Sequence, residues 1–199
     1  MQTVRICFVG NSMVNGTGDP ACLGWSGRIC VAAMRAGHDV THYNLGIRRD
    51  TSANILTRWS EEVQRRLPEG VDGQIVFSFG LNDIVIEGGK QRISTEESVG
   101  NLRAILAEAQ RAYPVLMVGP PPMLFDDDRG APVAELSAQY GVACRQLGVP
   151  YLEVFAALEK TGTFVREALD NDGAHPRAAG YAEMAELVMQ WDAWQSWFR

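Results

Sequence analysis

Hydrophobic residues in this chain follow two rhythms. Short continuous runs recur at residues 4–9, 40–45, 74–79, 115–118 and 150–154. They are rich in Val, Ile, Phe and Met, as strands buried on both faces require. The run at 40–45 is the weakest, broken by Thr41, His42 and Asn44. Between the runs lie longer stretches with helical spacing, at 25–36, 52–67, 95–113, 133–147 and 178–194. Their ends carry helix punctuation. The second starts at Ser52 and stops before Pro68, the third has Glu96 and Glu97 in its first turn and stops before Pro114, and the fourth ends at Gly148. Alternation of this kind predicts a parallel sheet with helices on both faces. The fold class is therefore α/β: a three-layer α/β/α sandwich with a five-stranded parallel sheet. Among the doubly wound options, the flavodoxin-like strand order 2-1-3-4-5 is taken. The 199 residues make one domain, with no repeat, low-complexity stretch or linker.

Composition narrows the function. The formal net charge is −6 and no long basic stretch exists, so nucleic acid would have to bind against the protein's own field and is set aside. No apolar stretch approaches the length of a membrane span, and the first residues show no secretory pattern. Cys7, Cys22, Cys30 and Cys144 lack metal-type spacing. They read as reduced, mostly packing thiols, which makes the cytoplasm the expected location. Nothing calls for a metal or an organic cofactor.

In open parallel sheets, ligands bind beyond the carboxyl ends of the strands. The segments after the five predicted strands are informative. They are Gly10-Asn11-Ser12, then Asn44-Leu45-Gly46-Ile47-Arg48, then Gly80-Leu81-Asn82-Asp83, then Gly119-Pro120-Pro121-Pro122, and finally Asp172-Gly173-Ala174-His175. Acyl transfer needs such residue types. A serine hydroxyl is a weak nucleophile without a base in hydrogen-bond reach. His175 can take the Ser12 proton, and Asp172 can hold the imidazole in the required tautomer. The oxyanion needs donors. The candidates are the backbone N–H of Ser12, the backbone N–H of Gly46, where no Cβ blocks close approach, and the Asn82 amide. One such donor contributes about 3–4 kcal/mol to the transition state.

Ser12, Gly46, Asn82 and His175 stand in an order that resembles the SGNH hydrolases, also called the GDSL esterase/lipase family. Gly10-Asn11-Ser12 is similar to the family's first block, Gly80-Leu81-Asn82-Asp83 to its third, and Asp172-Gly173-Ala174-His175-Pro176 to its fifth. The resemblance spans nearly the whole chain. It implies a flavodoxin-like fold and metal-free hydrolysis of esters or thioesters through an acyl-serine. By it, Ser12 is nucleophile, His175 base and Asp172 its orienter, with Gly46 and Asn82 donating to the oxyanion. One departure stands out: the family usually has Asp where this chain has Asn11. The substitution removes a negative charge beside the nucleophile and keeps a hydrogen-bond acceptor.

Each residue also has a plainer reading. Ser12 alone would be a helix cap, and the glycines around it a phosphate cradle, but neither a Gly-Lys-Ser/Thr nor a complete dinucleotide fingerprint follows. Asn82-Asp83 could be a simple Asx turn, with Asp83 structural, and Asp172 with His175 a capping pair ahead of Pro176. His38 and His42 read as surface or edge residues. Asp126-Asp127-Asp128-Arg129 lacks the ligand spacing of a calcium loop and reads as a solvated segment. The surrounding segment, 120–132, is placed to border the pocket, which makes Pro120 a substrate-binding candidate beside Asn11 and Arg48. Arg48 and Arg49 either meet an acidic substrate or pair with nearby carboxylates. The tail from Trp191 to Phe198 reads as a final helix pinned by aromatics; the other reading is a homodimer contact.

The expected function is a serine esterase acting on a small-molecule acyl ester with a short acyl group, such as an acetylated sugar, an aryl ester or a thioester. Long-chain lipids rank lower, since no amphipathic lid is visible. Rival readings are a thioesterase or lysophospholipase on the same machinery, a binding module that keeps the fold without the chemistry, and a flavodoxin-like cofactor or signalling domain.

Overall fold

Two apolar strands form the middle of the sheet. They are β1 (Thr3–Gly10) and β3 (Gly73–Ser78), and every residue of β3 is buried. The computed structural model describes residues 3–123 and 130–199. β2 (Asp39–Gly46) flanks β1, and β6 (Val115–Val118) and β7 (Tyr151–Leu152) extend the other side. The order β2-β1-β3-β6-β7 is parallel throughout and matches the order expected for the five sheet strands. The register sets Gly10 level with Gly46 on one side and Ser78 on the other, so three strands reach their carboxyl ends together. The last two strands are short because Pro114 and Pro150 precede them and cannot donate to a ladder.

The helices α2 (Gly24–Arg35) and α8 (Ala178–Met189) pack against each other, while α3 (Ser52–Arg66), α4 (Thr95–Ala109) and α5 (Gly130–Leu147) pack in sequence. Alternate strand residues feed different layers. Phe8 meets Trp25 of α2 edge-on at 5.7 Å, and Phe77 meets Trp59 of α3 at 5.6 Å. Each such ring contributes about 1.5–3 kcal/mol on burial. His42 lies on edge strand β2 but is half-buried. Its Nε2 sits 3.2 Å from Ser26 Oγ and its ring 5.0 Å from Phe8, and burial pushes its pKa down.

Four features depart from the sequence expectation. A one-turn helix, α1 (Ser12–Asn15), follows β1 directly. A hairpin outside the sheet, β4 (Ile86–Glu87) and β5 (Lys90–Gln91), turns through Gly88-Gly89, both at positive φ, a tight-turn signal the sequence carried. Two short helices, α6 (Phe155–Thr161) and α7 (Thr163–Leu169), meet at Gly162. Finally, the helix expected over 178–194 stops at Met189, and Trp191 is extended before α9 (Asp192–Gln195). The break turns Trp194 back onto the core, against Phe8, Trp197 and Phe198. The tail aromatics thus pack on their own chain. Among the described residues, no helix is long and apolar enough to cross a membrane.

Candidate active site

The carboxyl end of β1 runs straight into α1, and the junction fixes Ser12. Asn11 is extended (φ −99°, ψ −155°) and its Oδ1 accepts from Met13 N at 3.0 Å. That cap needs only a carbonyl oxygen, which Asn and Asp share. Ser12 is the first helical residue, so its N–H has no intrahelical acceptor. Its hydroxyl lies at the floor of a cleft of about 210 Å³.

The loop before α8 brings His175 to Ser12 across the length of the chain. Asp172 organises it. One oxygen, Oδ1, accepts from the backbone N–H groups of Ala174 (3.0 Å) and His175 (2.8 Å). The other, Oδ2, accepts from His175 Nδ1 at 2.7 Å. A neutral imidazole that donates from Nδ1 leaves Nε2 as acceptor, and Nε2 lies 2.7 Å from Ser12 Oγ. Burial alone pushes the Asp172 carboxyl up, but the bonds from the His175 ring and the two backbone N–H groups outweigh it and hold the pKa below the usual range. The carboxylate therefore stays ionised next to the imidazole.

The segment between α1 and α2 braces this loop from behind. Gly18, at φ +89°, packs so closely that a Cβ would sit 2.7 Å from both Pro176 O and Asn171 Nδ2. Asn171 Nδ2 donates to His175 O at 3.0 Å, and Tyr181 Oη donates to Thr17 O at 2.8 Å. Asp19 is buried. It accepts from the N–H groups of Ala21, Leu23 and Gly24 and pairs with Arg28. Burial raises its carboxyl, yet these bonds win and bring the pKa down to about 2.

The remaining expected residues divide. Asn82 lines the cleft, and its Nδ2 donates one hydrogen to Asp50 O at 2.8 Å, leaving the other. Asp83 is structural, as expected. It is buried, accepting from Ser52 N at the start of α3 and from Ser98 Oγ, and burial pushes its pKa up. Asn11 and Arg48 line the cleft.

Two expectations are corrected. Gly46 does not line the cleft: its N–H already donates to Asn44 Oδ1 at 3.0 Å. A Cβ there would come within 2.2 Å of Asn15 N, so the glycine serves the packing of β2 on α1. Pro120 is buried and also outside the cleft, because Gly119 N still bonds Leu152 O and holds this stretch to the sheet. Met123, three residues on, reaches the cleft instead. The acidic stretch 126–129 lies outside the described residues.

Glu87 and Arg92 are cleft residues with no assigned place in the sequence reading, and Arg49, expected to meet an acidic substrate or a nearby carboxylate, pairs with Glu87. Arg49 adopts φ +67°, a left-handed conformation shared only with Cys22 among described non-glycine residues. Residue type argues against that conformation, so the sequence concealed it. The other two stand beside the Gly88-Gly89 turn, which would have been the signal.

The model of the GDSL-like lipase/acylhydrolase family matches residues 8–183. No curated protein matches this chain in sequence. Solved structures do. The lipase/acylhydrolase from Enterococcus faecalis is 22% identical over 96% of this chain and 94% of that one, with a TM-score of 0.75. Axe2, an acetylxylan esterase from Geobacillus stearothermophilus, is 17% identical over 94% of this chain and 92% of that one, with a TM-score of 0.76. TesA is 22% identical over 93% of this chain and 96% of that one, with a TM-score of 0.75. At such identities the likeness concerns the fold.

Proposed function

We propose that this chain, which belongs to the GDSL-like lipase/acylhydrolase family, is a serine esterase that hydrolyses short acyl esters through an acyl-serine. The observation that carries the reading is the relay Asp172 Oδ2–His175 Nδ1 and His175 Nε2–Ser12 Oγ, 2.7 Å at each step, opening on a cleft. Ser12 Oγ attacks the acyl carbonyl as its proton passes to His175 Nε2, and Asp172 stabilises the imidazolium. The donors proposed for the oxyanion are the N–H of Ser12, which has no acceptor among the described residues, the second amide hydrogen of Asn82, and the backbone N–H of Arg49. The last takes the part expected of Gly46, since Arg49 lines the cleft and its N–H has no acceptor among the described residues. Nε2 then protonates the departing alcohol. Water, deprotonated by the same nitrogen, attacks the acyl-serine, and the acid leaves as Ser12 recovers its proton.

The short-acyl assignment is supported by cleft size. About 210 Å³ is below the roughly 300–1,000 Å³ of pockets that enclose drug-sized ligands. A cytoplasmic location is part of the same reading, and four free cysteines fit it.

The test compares wild type with Ser12→Ala on 4-nitrophenyl esters of rising acyl length. Wild type should turn over acetate and butyrate and lose efficiency beyond them. The variant should retain its fold and lose about a thousandfold or more in kcat. Equal rates for the two proteins would remove Ser12 from the chemistry, and a rising preference for long chains would remove the short-acyl assignment.

A further inference from the structure

The loop after β2 and the β4–β5 hairpin give the cleft a charged wall. Arg48, Arg49 and Arg92 line it, with Glu87 as the one carboxylate among the lining residues. Glu87 is shared: Oε1 lies 2.6 Å from Arg49 Nη2 and Oε2 lies 3.7 Å from Arg92 Nε. Arg48 is exposed and makes no ion pair among the described residues. The nearby carboxylates are committed elsewhere. Asp172 holds His175, and Asp50 holds Arg58 at 2.6 Å. Even counting the buried Asp83, which Arg92 also faces, arginines outnumber carboxylates at this wall. The excess runs against the chain's net charge of −6.

Two further observations agree. Asn11 lines the cleft with a neutral amide whose Nδ2 lacks any hydrogen-bond partner among the described residues. It offers a donor and no negative charge beside Ser12. Arg49 is held in a left-handed conformation that strains a non-glycine residue. Glycine would sit there without that strain. Arg92 braces the strained backbone by donating from Nη1 to Arg49 O at 2.9 Å. The Arg49 side chain is 74% exposed, open to an incoming ligand.

We infer that the cleft selects esters bearing a carboxylate, on the acyl or the alcohol side, which Arg48 and Arg49 hold beside the scissile carbonyl. The inference rests on the esterase reading above and names its substrate class. Glu87 acts as the counter-ion that an anionic substrate displaces from Arg49. Exposed guanidiniums act through screened charge, so the preference should weaken as salt rises.

The test uses matched pairs that differ in one charge, each corrected for spontaneous hydrolysis. The acyl arm compares 4-nitrophenyl hemiglutarate with the neutral 4-nitrophenyl glutaramate. The alcohol arm compares 3-acetoxybenzoate with 3-acetoxybenzamide. In one arm the anionic member should have a kcat/KM about tenfold higher at low salt, a difference of order one close charge contact, shrinking towards parity near 0.5 M NaCl, about a 4 Å screening length. That arm identifies the side on which the carboxylate sits. The ratio within the arm should fall about tenfold or more in Arg48→Glu and at least severalfold in Arg49→Gly, which keeps a backbone suited to positive φ. Parity or a neutral preference in both arms overturns the inference, and so does a ratio unchanged in both variants. No hydrolysis of any of the four esters by wild type, or equal hydrolysis by Ser12→Ala, overturns the esterase reading itself and is distinguishable from these.

Discussion

The two sides of the cleft differ in how they are held. On the Ser12–His175 side the side chains are buried, and Asp172, Asn171, Asp19 and Tyr181 fix the backbone around them by hydrogen bonds. On the other side Arg48 and Arg49 are exposed and Arg92 is partly buried, one backbone residue is strained, and the Arg49–Glu87 pair is open to solvent. The first arrangement suits reacting atoms, which lose rate steeply with displacement. The second suits recognition, where a charge acts over several ångströms and its geometry can adapt. The proposed chemistry and the proposed selectivity thus fall on differently built walls, which can be perturbed separately.

The largest expected effect lies on the buried side. Asp172→Asn leaves the loop its backbone acceptor but removes the anion facing His175 Nδ1, and kcat should fall about 10⁴-fold with the fold intact by circular dichroism. A variant that kept a tenth of wild-type kcat would remove Asp172 from the relay. Next comes Gly18→Ala, whose new Cβ meets Pro176 O at 2.7 Å. It should cost about 2 kcal/mol or more and lower kcat about tenfold to hundredfold by shifting His175. Gly37→Ala is the control: φ is also positive (+97°), but nothing lies within 4 Å of its Cβ. It should cost about 1 kcal/mol and leave kcat alone. If both variants behave alike in kcat, the contact with the histidine loop has no catalytic weight.

Acid should loosen the same buried side. Asp19 has a folded-state pKa of about 2, below its ordinary 3.8. A depressed carboxyl contributes stability above its unfolded pKa and loses it as pH falls through the folded one. Asp19 should therefore contribute about 2 kcal/mol near neutrality and progressively less between pH 4 and pH 2. Urea melts of wild type and Asp19→Asn should be well separated at pH 6 and converge as pH falls to about 2. A constant separation would refute the linkage. The smallest effect belongs to Asn11→Asp. The cap to Met13 N survives, so fold and activity on 4-nitrophenyl acetate should persist within about threefold, since the oxyanion donors are untouched. A folded but inactive Asn11→Asp protein would show that the neutral amide is itself required.

The buried side was also the more legible one. The apolar runs at 4–9 and 74–79 predicted β1 and β3 within a residue or so, because central strands are constrained on both faces. That Ser12, Asp172 and His175 would meet was readable because the sheet's carboxyl edge is where loops from distant parts of the chain gather. The exposed side resisted reading for the opposite reason. Gly46 looked like a donor because glycine advertises close approach, yet the approach is that of α1. Arg49 gave no sign of positive φ, since that conformation is imposed by its neighbours. Helix breaks followed the same logic: nothing local stops the final helix at Met189, and the break answers to the seat of Trp194 on Phe8.

The β4–β5 hairpin has a consequence for engineering. Its two strands pair with each other and with no strand of the main sheet, and Gly88-Gly89 projects into open space. Yet Glu87, on β4, and Arg92, just after β5, belong to the cleft. The outer wall is therefore a cassette: residues can be grafted or inserted at its tip without shifting the register of any catalytic strand. New specificities can be built there while the relay beneath is left as it stands.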